Sequence, residues 1–243
     1  MATNLTQDDQ TLLFQALSDK AQRVRPLILS AGQKVWLKQV ENLSLRLKLQ
    51  KGSAAAAFLR ERNGLHIMGR LGLPVAPILA EGEDWFMTPD LGLTLRRLMW
   101  HPTADNTAAF KAGALALAKL HLAGHRHGRP AIRDICWDGN AARFIDLERF
   151  KPGKASLNAR AVDLIIFVHS LYADALKPGC ASASANRDTA LATYRRAAPE
   201  IWARAAQIAS WLRWLAPLAR LAGSGREMRA IAPTLAVLRA RQG

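Results

Sequence analysis

Between Leu120 and Glu148 the chain demands a helix end, an irregular loop and a tight β-hairpin in immediate succession. Leu120-His121-Leu122-Ala123-Gly124 closes an Ala- and Leu-rich segment with strong helix preference. The stretch that follows, to Asp134, has no regular apolar period and carries His127, Arg129 and Asp134. Ile135-Cys136-Trp137, an Asp138-Gly139 turn and Arg143 to Leu147 then read as a hairpin, since an Asp-Gly pair supplies the positive-φ residues that a tight turn needs. Two carboxylates, Asp134 and Asp146, therefore lie at the two ends of one hairpin. A chain holding this segment must mix helix and sheet.

The flanks agree. Pro26 to Ser30 and Lys34 to Val40 are short β-type runs around an Ala31-Gly32-Gln33 turn, and Ser53 to Leu71 is a helix with Ser53 as its N-cap. Gly72-Leu73-Pro74 ends it, and Val75 to Ala80 with Trp85 to Thr88 form a second strand pair across Glu81 to Asp84. Together these make a small sheet carrying one helix. Thr94 to Met99 and Asn106 to Ala123 are helical, as is the chain from Ala161 onward, with breaks near Lys177 to Ser184, Pro199, Pro217 and Ala222 to Gly225. At 243 residues, half of them hydrophobic, the expected class is α+β with an N-terminal lobe at 1–89 and a helical lobe at 90–243, the loop and hairpin spanning 121–148.

The order of elements and several short strings resemble the protein kinase-like fold, in particular small bacterial lipopolysaccharide core (Kdo/heptose) kinases. Val35-Trp36-Leu37-Lys38 resembles the strand that carries the phosphate-binding lysine, Glu61 sits where the family's helix places that lysine's partner, and Gly72-Leu73-Pro74-Val75-Ala76-Pro77 resembles the passage after this helix. Leu120 to Gly128 and Phe144-Ile145-Asp146-Leu147-Glu148 resemble the catalytic-loop and metal-binding strings. The resemblance implies a bilobal kinase-like fold using ATP and Mg. It assigns Lys38 and Glu61 to the nucleotide phosphates, Pro89, Asp90 and Leu91 to the adenine-binding hinge, His127 to buttressing of the catalytic loop, and Asp134 with Asp146 to the metal. Asp163 resembles the helix aspartate that holds the loop backbone.

The sequence departs from this pattern at the loop. Arg129 stands where the catalytic aspartate belongs and Asp134 where the metal-binding asparagine belongs, and no G-x-G-x-x-G precedes Lys38. Asp134 preserves an oxygen ligand. Arg129 cannot accept a proton, and a general base contributes roughly 10²- to 10⁴-fold. Two functions follow: a phosphotransferase acting on a hydroxyl of an anionic acceptor such as a lipopolysaccharide core sugar, with Arg129 facing the acceptor and Asp134 or Glu148 taking the proton; or a pseudokinase serving as a nucleotide-binding or regulatory module. Reading Ile132-Arg133-Asp134 as the catalytic triplet would leave Asn140 only six residues before Asp146, too few for the hairpin. His121 and His125, one helical turn apart, also have a spacing that permits metal chelation.

Charge narrows the partners. Thirty-four Lys and Arg against 19 Asp and Glu leave +15, which favours an anionic small molecule, glycolipid or protein substrate. Residues 195–243 hold nine arginines and two acidic residues beside Trp202, Trp211 and Trp214, a composition suited to peripheral membrane contact. Nucleic acid would reward the same charge, but no recognisable binding module accompanies it. Ile201 to Leu221 reads as a helix with a basic face, Met1 to Gln10 lacks the features of a signal peptide, and Cys136 and Cys180 fit no disulfide or zinc spacing. The expected setting is cytoplasmic, at the inner membrane surface.

Overall fold

Alternation in Lys34-Val35-Trp36-Leu37-Lys38-Gln39 sends Val35, Leu37 and Gln39 to one face of a strand and Trp36 and Lys38 to the other. The computed structural model, which describes residues 5–19, 22–40, 54–101, 106–177, 183–215, 217 and 225–240, places this strand inside a small sheet. The architecture is α+β. Two compact units make it up: Met1–Leu91 with Asp146–Phe150, and Gly92–Ile145 with Lys151–Gly243. The expected N-cap Ser53 and Cys180 lie outside the described residues.

In the first unit, β1 (Val24–Ile28), β2 (Lys34–Gln39), β3 (Ala80–Glu81) and β4 (Trp85–Pro89) form an antiparallel sheet in the order β1-β2-β4-β3. On one face, Leu27, Leu29, Val35, Leu37 and Met87 bury Leu13 and Ala16 of α1 (Gln7–Ser18). Against the opposite face lies α2 (Ala54–Arg70): Lys38 pairs across the strands with Phe86, whose ring packs 5.2 Å from that of Phe58 on α2. The register that buries Val35 and Leu37 under α1 therefore aims Lys38 at α2.

Two elements differ from the sequence reading. The helix α1 was not anticipated in the polar N-terminal stretch, yet Thr6 and Asp9 form a reciprocal capping box, and Asp9 also accepts from the Ser30 N–H at 2.7 Å, tying the helix to the β1–β2 turn. The strand expected over Val75 to Ala80 shrinks to Ala80–Glu81. Pro77, inside that run, lacks the N–H a ladder position needs.

In the second unit, β5 (Leu93–Thr94), β6 (Ile135–Trp137) and β7 (Ala142–Phe144) form a three-stranded sheet, the last two joined through the Asp138-Gly139 turn with Gly139 at φ +95°. Gly92 is obligatory here: it lies at φ +77°, and a β-carbon on it would fall 2.2 Å from the Trp137 carbonyl oxygen. The helices are α3 (Leu95–Trp100), capped by Thr94, α4 (Thr107–Leu122), α5 (Leu157–Ala175), α6 (Ala183–Ala197), α7 (Pro199–Trp211) and α8 (Arg226–Arg239). The helix expected over Ile201 to Leu221 is interrupted after Trp211 by a 3-10 turn, Leu212–Trp214; Leu215 and Pro217 are helical again, and 216 and 218–221 lie outside the described residues. Among the described residues no helix is long and apolar enough to cross a membrane.

Candidate functional site

The first unit gathers a charged cluster beside its sheet. Lys38, on the α2 face of β2, is ion-paired with Glu61 of α2, and its Nζ lies 3.5 Å from Glu148 Oε1. Both partners are secluded, the Lys38 side chain 12% exposed and that of Glu61 5%. Glu148 is also paired with Arg23, and its backbone carbonyl accepts from Arg60 Nε at 2.8 Å. The segment Asp146–Phe150 is anchored further by Phe150, whose ring leaves no room for a side chain at Gly64 of α2. One residue of this segment, Asp146, has φ +61°, the only non-glycine residue with positive φ among the described residues. Such backbone costs of order 1–3 kcal/mol and concentrates where side chains must be aimed.

Glu61, Asp146 and Glu148 bring carboxylate oxygens within 4.8 Å of one another. Hard oxygen donors of this kind suit Mg2+. Lys38 and Arg23 pair with these carboxylates and Arg60 reaches the Glu148 carbonyl, so the oxygens are gathered among fixed cations. Burial pushes the Glu61 carboxyl up, with Lys38 only partly countering it. Burial also works to raise Glu148, but Lys38 and Arg23 outweigh it and its net shift is downward.

The signs give a pH prediction. A depressed carboxylate contributes stability that is present above its ordinary value of 4.5 and is lost as pH falls through its lower folded value. Glu61, shifted upward, contributes in the opposite sense and weakens the fold as pH rises through its raised value. Glu148→Gln is therefore expected to be less stable than wild type at neutral pH, with the difference shrinking as melting temperatures are followed below pH 4.5.

Of the expected hinge residues, Pro89 closes β4 and Leu91 is buried. Asp90 is engaged locally: its N–H donates to the Lys34 carbonyl at 3.0 Å, and its carboxylate accepts from the Trp36 indole at 2.9 Å and pairs with Lys34 at 3.2 Å.

His127, Arg129 and Asp134 stand in the second unit. The buried Asp163 carboxylate of α5 accepts from the His127 N–H at 2.7 Å and from the Gly128 N–H at 3.0 Å. This is the loop-holding role expected of it. The His127 ring takes the Arg129 N–H on Nδ1 at 3.3 Å, so its Nε2–H donates to the Ile145 carbonyl at 2.9 Å and the ring is the neutral Nε2–H tautomer. The loop is thereby stitched to the residue that precedes Asp146. Behind it, His121 Nδ1 lies 2.6 Å from the Tyr194 hydroxyl and Nε2 lies 3.6 Å from Asp163. Burial keeps His121 below its ordinary pKa although Asp163 opposes this, and burial together with Asp163 raises that of Tyr194. Both are neutral, and the hydroxyl donates to Nδ1.

Asp134 is 5% exposed, with Arg129 Nε 3.9 Å and Arg133 Nε 3.7 Å from its carboxylate. Asn140 lies in the hairpin turn, its N–H donating to Asp138. Among the described residues, Glu61, Asp146 and Glu148 are the group of three or more His, Cys, Asp or Glu side chains placed to hold a metal, and no histidine belongs to it. Sequence reasoning gave Glu148 no place in the Lys38 pair and left Arg23 out. Glu148 follows Asp146 by two, the only local signal available.

No family model matches the chain. It is 31% identical over 143 residues to a Haemophilus influenzae protein described as uncharacterized; the match takes in 58% of this chain and 59% of that protein's length. Among solved structures it is similar to an aminoglycoside-3'-phosphotransferase of type VIII, at 14% identity and a TM-score of 0.46, covering 77% of this chain and 97% of the other. It is also similar to a divergent kinase lacking the glycine-rich loop, which regulates membrane ultrastructure of the Toxoplasma parasitophorous vacuole, at 11% identity and a TM-score of 0.46, covering 82% and 83%.

Proposed function

We propose that the chain is a protein kinase-like phosphotransferase that binds ATP with Mg2+ through the Lys38 cluster and transfers the γ-phosphoryl group to a hydroxyl of an anionic acceptor, a lipopolysaccharide core sugar being one such. The observation that carries this is the ion pair of a strand lysine with a secluded helix glutamate, Lys38 with Glu61, gathered with Asp146 and Glu148. An ammonium fixed in this way is presented to phosphate oxygens without paying to order its long side chain. Asp146, with the neighbouring carboxylates, would hold Mg2+, which neutralises charge on the β and γ phosphates when bound. Phosphoryl transfer depends chiefly on positioning and charge stabilisation, so a site built of fixed charges suffices for most of the rate. Asp134 is assigned as proton acceptor and further oxygen ligand, Arg129 as the contact to the acceptor's negative charge, His127 as the buttress of the loop, and Pro89 and Leu91 as backbone neighbours of the adenine.

The pseudokinase reading is favoured by one observation: Asp134 sits between Arg129 and Arg133, charge partners that compete with a metal and with a proton. Turnover separates the two. ATP consumption by the purified chain is expected to be measurable and to fall roughly 10²-fold or more in Asp134→Ala. Nucleotide binding without turnover in wild type would identify a silent binding module.

A further inference from the structure

The helix α7 buries Ile201, Trp202, Ala205 and Ala209, and Trp202 is only 5% exposed. Its opposite side runs through Gln207 and Ser210 to Trp211 and continues into Trp214 on the following 3-10 turn. These two indoles are 70% and 58% exposed. Single exposed apolar residues are ordinary, but two of the largest side chains one turn apart leave an apolar surface that folding does not cover. Leu212 and Leu215, both half-buried, neighbour the two indoles in sequence.

The charge around the patch is one-sided. Residues 195–215 contain Arg195, Arg196, Arg204 and Arg213 against Glu200 alone, in a chain of net charge +15. Arg213 stands exposed between the two indoles. Arg204 lies 5.6 Å from the Trp211 ring, fixed there by Asn158 at 2.5 Å and Gln207 at 2.7 Å. Indole, an apolar ring with one polar N–H, favours the boundary between acyl chains and headgroups, and arginine beside it reaches anionic headgroups while its stem lies along apolar surface.

We propose that Trp211, Trp214, Arg204 and Arg213 dock the chain onto the surface of an anionic bilayer, the indoles entering the headgroup boundary and the guanidiniums pairing with lipid phosphates. Charge complementarity selects this occupant, and the apolar Leu212 and Leu215 beside the indoles suit an acyl boundary better than a stacked base. The contact lies along the surface. It does not depend on nucleotide binding.

Cosedimentation of the full chain with vesicles tests it. Phosphatidylcholine vesicles with about one third phosphatidylglycerol are expected to capture the protein, pure phosphatidylcholine vesicles are not, and raised salt should release it. Trp211→Ser with Trp214→Ser should weaken capture roughly tenfold or more, and Arg204→Gln and Arg213→Gln about fivefold each. Trp211→Phe with Trp214→Phe should retain most of it, and neither the tryptophan changes nor Arg213→Gln should move the melting temperature. Three results would overturn the proposal: no capture by anionic vesicles, capture undiminished in the double serine variant, or an exposed patch claimed by something else. The last would be seen as concentration-dependent self-association, or as nucleic-acid binding stronger than vesicle binding, lost in that same variant.

Discussion

Lys38→Ala is expected to lose nucleotide-dependent stabilisation completely and, with no ligand present, to destabilise the first unit by about 3–5 kcal/mol. Both effects come from one side chain. Removing the ammonium strands Glu61, whose side chain is 5% exposed, beside Asp146 and Glu148 with no ion-pair partner for its charge. Replacing the pair by apolar residues of similar size, Lys38→Met with Glu61→Leu, removes both buried charges together and should recover most of the stability, because such exchanges are often neutral. The double variant should still fail to bind nucleotide. Denaturation midpoints for the single and double variants, read beside ATP-induced melting shifts, separate the structural contribution of the pair from its function. A single variant as stable as wild type would mean that Lys38 and Glu61 do not depend on each other.

Asp163→Ala should be comparably severe for the second unit. It removes the acceptor of the His127 and Gly128 N–H groups and the group facing His121 Nε2. Each N–H left without a partner costs about 1–3 kcal/mol, so the loss of the two is about 2–6 kcal/mol, and the melting temperature should fall by roughly 10 °C. Faster amide exchange at His127 and Gly128 than elsewhere in the loop would localise the damage. Asp163→Asn keeps one acceptor oxygen but points an N–H2 at the donors, and should fall between the two.

How much of this was written in the sequence depends on the range over which each signal acts. The period-two alternation around Lys38 and the Asp-Gly turn at Asp138 are local, and both elements stand where they were read. Glu61 was legible only through the resemblance, which pairs a helix glutamate with the strand lysine; the structure has Glu61 paired with Lys38. The pairing of Arg23 with Glu148, 125 residues apart, has no local signature. Nor does the attachment of Asp146–Phe150 to the first unit, which rests on Phe150 filling the space opposite Gly64 and on Arg60 holding the Glu148 carbonyl. The tryptophans of the C-terminal region look alike in sequence, yet Trp202 is buried and Trp211 and Trp214 are not, because α7 turns only one face to its neighbours. The helix α1 was missed although its Thr6-x-x-Asp9 box was present; polar first turns hide the apolar Leu13 and Ala16 behind them.

The central claim is that Lys38, Glu61, Asp146 and Glu148 form a nucleotide site that works with a divalent ion. Calorimetric titration of ATP into the full chain, once with Mg2+ and once with a chelator, addresses it most directly. Saturable binding with Mg2+ that is lost in the chelator and in Asp146→Asn is the predicted result. No binding at millimolar ATP with Mg2+, or binding unchanged by Asp146→Asn, would contradict it.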